Sequence, residues 1–103
     1  NNKLANIQWI TPDQGGRKEA IPMFQRKYGP RVLVDGKHPL WAAVGVFSVI
    51  HLKKTDFETL TYVRYLNTVD APDNLRIGSK LELLEGAKKV AFGKIIEESD
   101  FNF

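Results

Sequence analysis

Residues 81–96 read LELLEGAKKVAFGKII, and this stretch decides the fold. Leu81 and Leu83 alternate with charged residues, which is the period of a half-buried β-strand. We interpret the stretch as two strands, Leu81–Leu84 and Lys89–Ile96, joined by a tight connection of sequence Glu-Gly-Ala-Lys. Because an isolated hairpin is only marginally stable in water, the rest of the chain is expected to supply more sheet.

The second of these strands is apolar on both sides. A two-residue period places Val90 and Phe92 on one face, and Ala91 and Ile95 on the other. Gly93 interrupts the apolar run and is expected to form a bulge or the corner of a barrel.

Further strand patterns occur along the chain, separated by turns rich in glycine and proline. The first predicts a strand whose core face carries Ala5, Ile7 and Trp9. Together the patterns predict a small six-stranded antiparallel β-barrel, a single domain over residues 1–103 with a frayed tail at 98–103. The predicted strands outside the hairpin are Leu4–Ile10, Arg31–Val34, Leu40–Leu52 and Phe57–Leu66.

The composition is that of an ordinary globular domain. The chain has 103 residues, of which 43% are hydrophobic and 26% are charged. It has no cysteine, which excludes disulfides and thiol chemistry, and no apolar run of about 18 residues that would predict a membrane span. We therefore expect a cytoplasmic protein without a membrane partner.

The side chains that usually carry catalysis are sparse. His38 and His51 lack the spacing of a metal site, and no serine stands in a Gly-x-Ser-x-Gly motif. The sequence therefore predicts that the chain is not an enzyme and that it has no metal and no cofactor.

Positive charge is concentrated in the first third of the chain. Between Gly15 and His38 there are six basic and two acidic residues, a balance of +4 against +3 for the whole chain. Such a segment suits an anionic partner, although a solvated basic loop has the same composition. The candidate binding residues of this basic loop are Arg17, Lys18, Arg26, Lys27 and Arg31.

Aromatic side chains near the basic loop are candidates for contact with a partner. Phe24 and Tyr28 could equally pin the loop to the core, so both interpretations stay open. The full set of aromatic candidates is Phe24, Tyr28, Trp41, Tyr62 and Tyr65.

Several short motifs resemble the second and third barrel domains of elongation factor Tu and related translational GTPases, the third more closely. They are Gly15-Gly16-Arg17, Tyr28-Gly29-Pro30, DNLRIG at 73–78, LLEG at 83–86 and VAFGKI at 90–95. The resemblance implies a six-stranded barrel that docks other macromolecules, and implies that Arg17 and Lys18 contact RNA. The chain departs from the family in having no phosphate-binding loop and no His-Thr-Pro after Arg17, and residues 35–55 follow the family poorly, so no GTPase activity is expected.

We therefore expect a non-enzymatic binding module of the elongation factor Tu barrel type. It would dock a protein or a translation-related ribonucleoprotein through the basic loop. Direct binding of a tRNA-like RNA is one alternative, and an immunity or inhibitor protein that neutralises a toxin is another.

Overall fold

The computed structural model describes residues 3–18, 29–37, 45–65 and 73–99, with only the backbone described for 45–55. A short 3-10 helix, Pro12–Gln14, follows the first strand, and the other regular elements are β-strands. The strands are β1 Lys3–Trp9, β2 Arg31–Val34, β3 Gly45–Thr55, β4 Glu58–Tyr65, β5 Lys80–Glu85 and β6 Lys88–Glu98. The prediction of an all-β fold is confirmed for the described residues.

The strands form one sheet in the order β2-β5-β6-β1-β4-β3, and each neighbouring pair is antiparallel. β2 and β3 are the two edges of this sheet. No pairing between these edges occurs within the described residues, so the sheet is open there and its closure into a barrel is not confirmed. β6 lies inside the sheet, between β5 and β1.

The predicted hairpin is confirmed as β5 and β6. Only Gly86 and Ala87 separate the two strands, and Gly86 has a φ of 64°. A glycine with positive φ at the first position of a two-residue turn matches the right-handed twist of the flanking strands. The sequence of the hairpin therefore specifies the turn that joins its two strands.

The faces of β6 differ from the prediction. Leu84 pairs with Lys89 but Leu83 pairs with Ala91, so Val90 is an extra residue in β6 and forms a β-bulge. Val90 and Ala91 are consequently both buried, whereas Phe92 is 46% exposed. The prediction that Val90 and Phe92 share a face is wrong, because the bulge shifts the alternation by one residue.

Gly93 lies where β1 passes closest to β6 and is not itself the bulge. A Cβ atom at Gly93 would lie 2.3 Å from the carbonyl oxygen of Asn6 and 2.7 Å from the Cδ1 atom of Ile7. A second register shift on β6 places Ile96 between the residues that pair with Leu4 and Ala5. Gly93 therefore permits the tight contact between the two strands, and the bulges flank it.

The core lies on one face of this sheet. Ala5, Ile7 and Trp9 of β1 are all buried, as predicted. Trp9 also donates a hydrogen bond from Nε1 to Thr59 Oγ1 at 2.9 Å, which satisfies a polar group inside the core. The buried apolar residues are Ala5, Ile7, Trp9, Val32, Val34, Val63, Tyr65, Leu75, Leu81, Leu83, Val90, Ala91 and Ile95.

The boundaries of the remaining strands shift by a few residues. β2 has the predicted bounds, and β3 extends to Thr55, so the turn into β4 consists of Asp56 and Phe57. Glu98 is the last residue of β6 and forms an ion pair with Lys3 of β1. Of the tail expected at 98–103, residues 100–103 lie outside the described residues, as do 40–44 of the predicted third strand.

In the part of the chain that the structure describes, no helix has the length and apolar character that a membrane crossing requires.

Candidate functional site

The outer face of the sheet, opposite the core, carries an exposed aromatic ring surrounded by charged side chains. We call this surface the Phe92 face and define it by the outward residues Lys80, Glu82, Lys89, Phe92 and Lys94. On β5, Lys80 and Glu82 alternate with the buried Leu81 and Leu83, so they point away from the core. On β6, Phe92 and Lys94 are exposed in the same way.

The strand register arranges these residues in rows across the sheet. Phe92 is opposite Glu82 of β5 on one side and opposite Gln8 of β1 on the other. The next row of the same face contains Lys80, Lys94 and Asn6. Side chains that are directly opposite have Cβ atoms about 5 Å apart, so each row is a set of direct neighbours.

Lys80 and Lys94 are like charges in directly opposite positions. Such a pair destabilises a sheet, by roughly 0.2–1 kcal/mol. Both side chains are exposed, and neither ammonium group forms an ion pair with any residue that the structure describes. An anion placed between the two ammonium groups would remove this repulsion, so the pair favours an anionic ligand.

The position of Lys80 is fixed by backbone contacts on both sides of the strand. The amide of Lys80 donates to Asp35 Oδ1 at 2.9 Å, and the amide of Asp35 donates to the carbonyl of Lys80 at 2.8 Å. On the other side, the amide of Ile95 donates to the carbonyl of Ser79 at 2.9 Å. The backbone at Lys80 is therefore held from both sides, which fixes the point from which its side chain extends.

The turn that holds Asp35 follows directly from its sequence. Asp35 has a φ of 54° and Gly36 a φ of 71°, which are the two positive values that a type I′ turn requires. Asp and Gly are the residues that tolerate this conformation best. The Asp-Gly turn brings a carboxylate to the start of β5.

Lys89 and Glu82 neutralise each other within the face. Lys89 Nζ lies 2.5 Å from Glu82 Oε1, and the two side chains are 48% and 29% exposed. An ion pair with this exposure contributes about 1 kcal/mol or less to stability. The uncompensated charge of the Phe92 face therefore comes from Lys80 and Lys94.

A groove of about 630 Å³ runs along one side of the Phe92 face, between the sheet and the turn after β2. Its wall carries the exposed ring of Phe92 together with charged side chains of both signs. The lining residues are Asp35, Gly36, Lys80, Leu81, Glu82, Lys89, Phe92 and Gly93. The groove therefore presents a mixed apolar and charged surface beside the Phe92 ring.

Of the basic residues predicted from the sequence, the structure describes Arg17, Lys18 and Arg31. Arg17 has a side chain that is only 14% exposed, and its Nε lies 3.0 Å from Glu85 Oε2. Lys18 is exposed beside it. Arg31 is exposed on the outer side of β2, opposite Leu84, and so belongs to the same face as Phe92. Arg26 and Lys27 lie outside the described residues.

The predicted aromatic residues are only partly described. Tyr62 is half-buried on the outer side of β4. Tyr65 is 5% exposed, and its hydroxyl donates to Asn74 Oδ1 at 2.6 Å. Burial raises the pKa of the Tyr65 phenol. Phe24, Tyr28 and Trp41 lie outside the described residues.

Sequence reasoning missed Phe92, Lys80 and Lys94 as site residues. Phe92 was assigned to a core strand, and the two lysines are far apart in the chain. The available signal was Lys94 two residues after Phe92, because residues at this spacing share a face of a strand.

Metal-binding groups do not converge in the described ranges. No group of three or more His, Asp or Glu side chains there has the geometry of a metal site. His38 and the side chain of His51 lie outside those ranges.

Comparison of the chain with protein-family models, with curated proteins and with solved structures finds no match.

Proposed function

We propose that this chain is a non-enzymatic binding module that docks an anionic macromolecule through the Phe92 face and the basic residues beside it. The observation that carries the proposal is the uncompensated pair of Lys80 and Lys94 directly beside an exposed ring. Exposed charges that repel each other and an aromatic ring in water both become more favourable when a partner covers them.

The partner expected from the sequence is a protein or a translation-related ribonucleoprotein, and either can present an acidic surface. The resemblance to the barrel domains of elongation factor Tu supports a docking role, since such barrels serve as contact modules. The chain has no phosphate-binding loop, cysteine or Gly-x-Ser-x-Gly motif, which favours binding over catalysis.

The same proposal includes a closed six-stranded barrel. β2 and β3 are consecutive in the chain, and consecutive strands are usually neighbours in space. Pairing of these two edges would also remove both exposed rows of backbone groups. Nuclear Overhauser contacts between the backbone protons of β2 and β3 would establish closure. If the amides of β2 and β3 exchange slowly with solvent but show no such contacts, closure is excluded.

Retention on a heparin column tests the docking role. We expect Lys80→Glu and Lys94→Glu each to elute at lower salt than Lys18→Glu. The three variants carry the same net charge, and Lys18 is an exposed residue that is not among those that define the Phe92 face. If net charge alone controls retention, the three variants will elute together and the proposed role of the face is wrong.

A further inference from the structure

We propose that the ligand of the Phe92 face is single-stranded RNA, with one base stacked on the ring of Phe92 and its phosphates held by Lys80 and Lys94. This inference rests on the docking role proposed above and names its partner class. It uses the register of β5, β6 and β1, which brings the ring and both cations onto one exposed surface.

The alternation of an aromatic ring and cations along β6 matches the repeat of a nucleic acid strand. Phe92 and Lys94 are outward neighbours on one strand, about 6.8 Å apart along it. A nucleotide presents one flat base and one phosphate in each unit, so it can use the ring and the cations together. An acidic peptide presents carboxylates to the lysines, but it offers the ring a flat group only where it also contains an aromatic or arginine side chain.

The position of Phe92 within the sheet also selects the mode of binding. β6 pairs with β5 and with β1, so its backbone groups are already used in the sheet. A peptide therefore cannot add to β6 as an extra strand, and recognition must come from side chains. A ring standing on an open sheet can stack with a base of a single strand, whereas the bases of a duplex are already stacked on each other.

Gln8 favours RNA over DNA. It is exposed and lies directly opposite Phe92 on β1. Its amide can both donate and accept a hydrogen bond, as the 2′-hydroxyl of a ribose can. A nucleotide stacked on Phe92 would place its ribose beside this amide.

The stacking step is tested by fluorescence anisotropy with a labelled oligouridylate of about ten nucleotides, within the site sizes that small barrels use. We expect Phe92→Leu to weaken binding about 5- to 150-fold and Phe92→Tyr to retain it, since tyrosine keeps the π-face. Phe57→Leu is the matched control, because Phe57 is 42% exposed but lies in the turn between β3 and β4. It should bind as the parent chain does.

The phosphate contacts are tested by the dependence of affinity on salt. Each contact to a single strand contributes about 0.7 to the slope of log K against log salt. Lys80→Ala and Lys94→Ala should each reduce the slope by about 0.7, and Phe92→Leu should lower the affinity without changing the slope. Equal slopes for all variants would overturn the phosphate assignment.

Competition separates RNA from the other ligands. An oligoglutamate that competes as well as the oligouridylate, or a Phe92→Leu variant that binds normally, would overturn the RNA assignment in favour of an acidic protein. An oligothymidylate of equal affinity would overturn the preference for ribose. In each of these cases heparin retention would still depend on Lys80 and Lys94, so the docking role would stand. If the heparin difference is also absent, the docking role itself is wrong.

Discussion

Gly93→Ala gives the sharpest test of the packing between β1 and β6. At a position with ordinary backbone angles and free space, replacing glycine with alanine stabilises a protein by about 0.4–1 kcal/mol. At Gly93 the new Cβ would lie 2.3 Å from the Asn6 carbonyl oxygen and 3.1 Å from the Ile7 Cα atom. Both are backbone atoms of β1, so a rotation of a side chain cannot remove the overlap.

The cost follows from the need to separate two paired strands. Overpacking of a well-packed region costs about 1–3 kcal/mol, and here a paired backbone must move, so we expect a loss of about 2–3 kcal/mol. For a domain of this size that loss corresponds to a fall in Tm of roughly 10–20 °C. The measurement is urea and thermal unfolding followed by circular dichroism.

Gly36→Ala is the control for this experiment. Gly36 has a φ of 71°, but a Cβ there would meet no atom within 4 Å. Replacing Gly36 with alanine should lower the free energy of unfolding only by the conformational penalty of about 1–2 kcal/mol. It should also leave the hydrogen exchange of the β1 amides with solvent unchanged. A Gly93→Ala variant that is as stable as the parent chain would refute the close approach of β1 and β6.

Three further predictions concern buried polar contacts. Thr59→Val removes the acceptor of the Trp9 indole and should cost about 1–3 kcal/mol in urea unfolding, whereas Thr59→Ser should retain most of the stability. The pKa of Tyr65 is raised in the folded state, so its contribution to stability is complete below the unfolded pKa near 10 and is lost as pH rises through the folded pKa. Tyr65→Phe should therefore flatten the fall of the urea midpoint at alkaline pH, and an unchanged profile would contradict this. Arg17→Gln should lower the free energy of unfolding in urea by about 1–2 kcal/mol through loss of the Glu85 contact, and an unchanged free energy would show that the contact is not structural.

The hairpin could be predicted from the sequence because its signals are local. Alternation at Leu81 and Leu83, and a glycine that suits a two-residue turn, specify β5 and β6 without knowledge of the other strands. The core face of β1 could be predicted equally well, since Ala5, Ile7 and Trp9 follow a strict period of two. The barrel closure expected from the spacing of strands depends on contacts between distant segments, which alternation does not encode.

The candidate site could not be predicted because one bulge decides it. If β6 had no bulge at Val90, the register that pairs Leu84 with Lys89 would continue along both strands. Phe92 would then lie opposite the core residue Leu81. With the bulge, Phe92 is opposite Glu82 on the outer face. A bulge depends on how β6 pairs with both neighbours, so no local pattern reports it. Counting charges along the chain also could not show that Lys80 lies opposite Lys94 of β6.

The most direct test of the central claim is a heteronuclear NMR titration of the full chain with the oligouridylate. If the Phe92 face is the docking surface, the largest shifts of the backbone amides will map to β5 and β6 around Lys80, Phe92 and Lys94, with Gln8 of β1 beside them. If the largest shifts lie instead between Arg17 and Arg31, or are spread evenly over the basic residues, the Phe92 face is not the binding site.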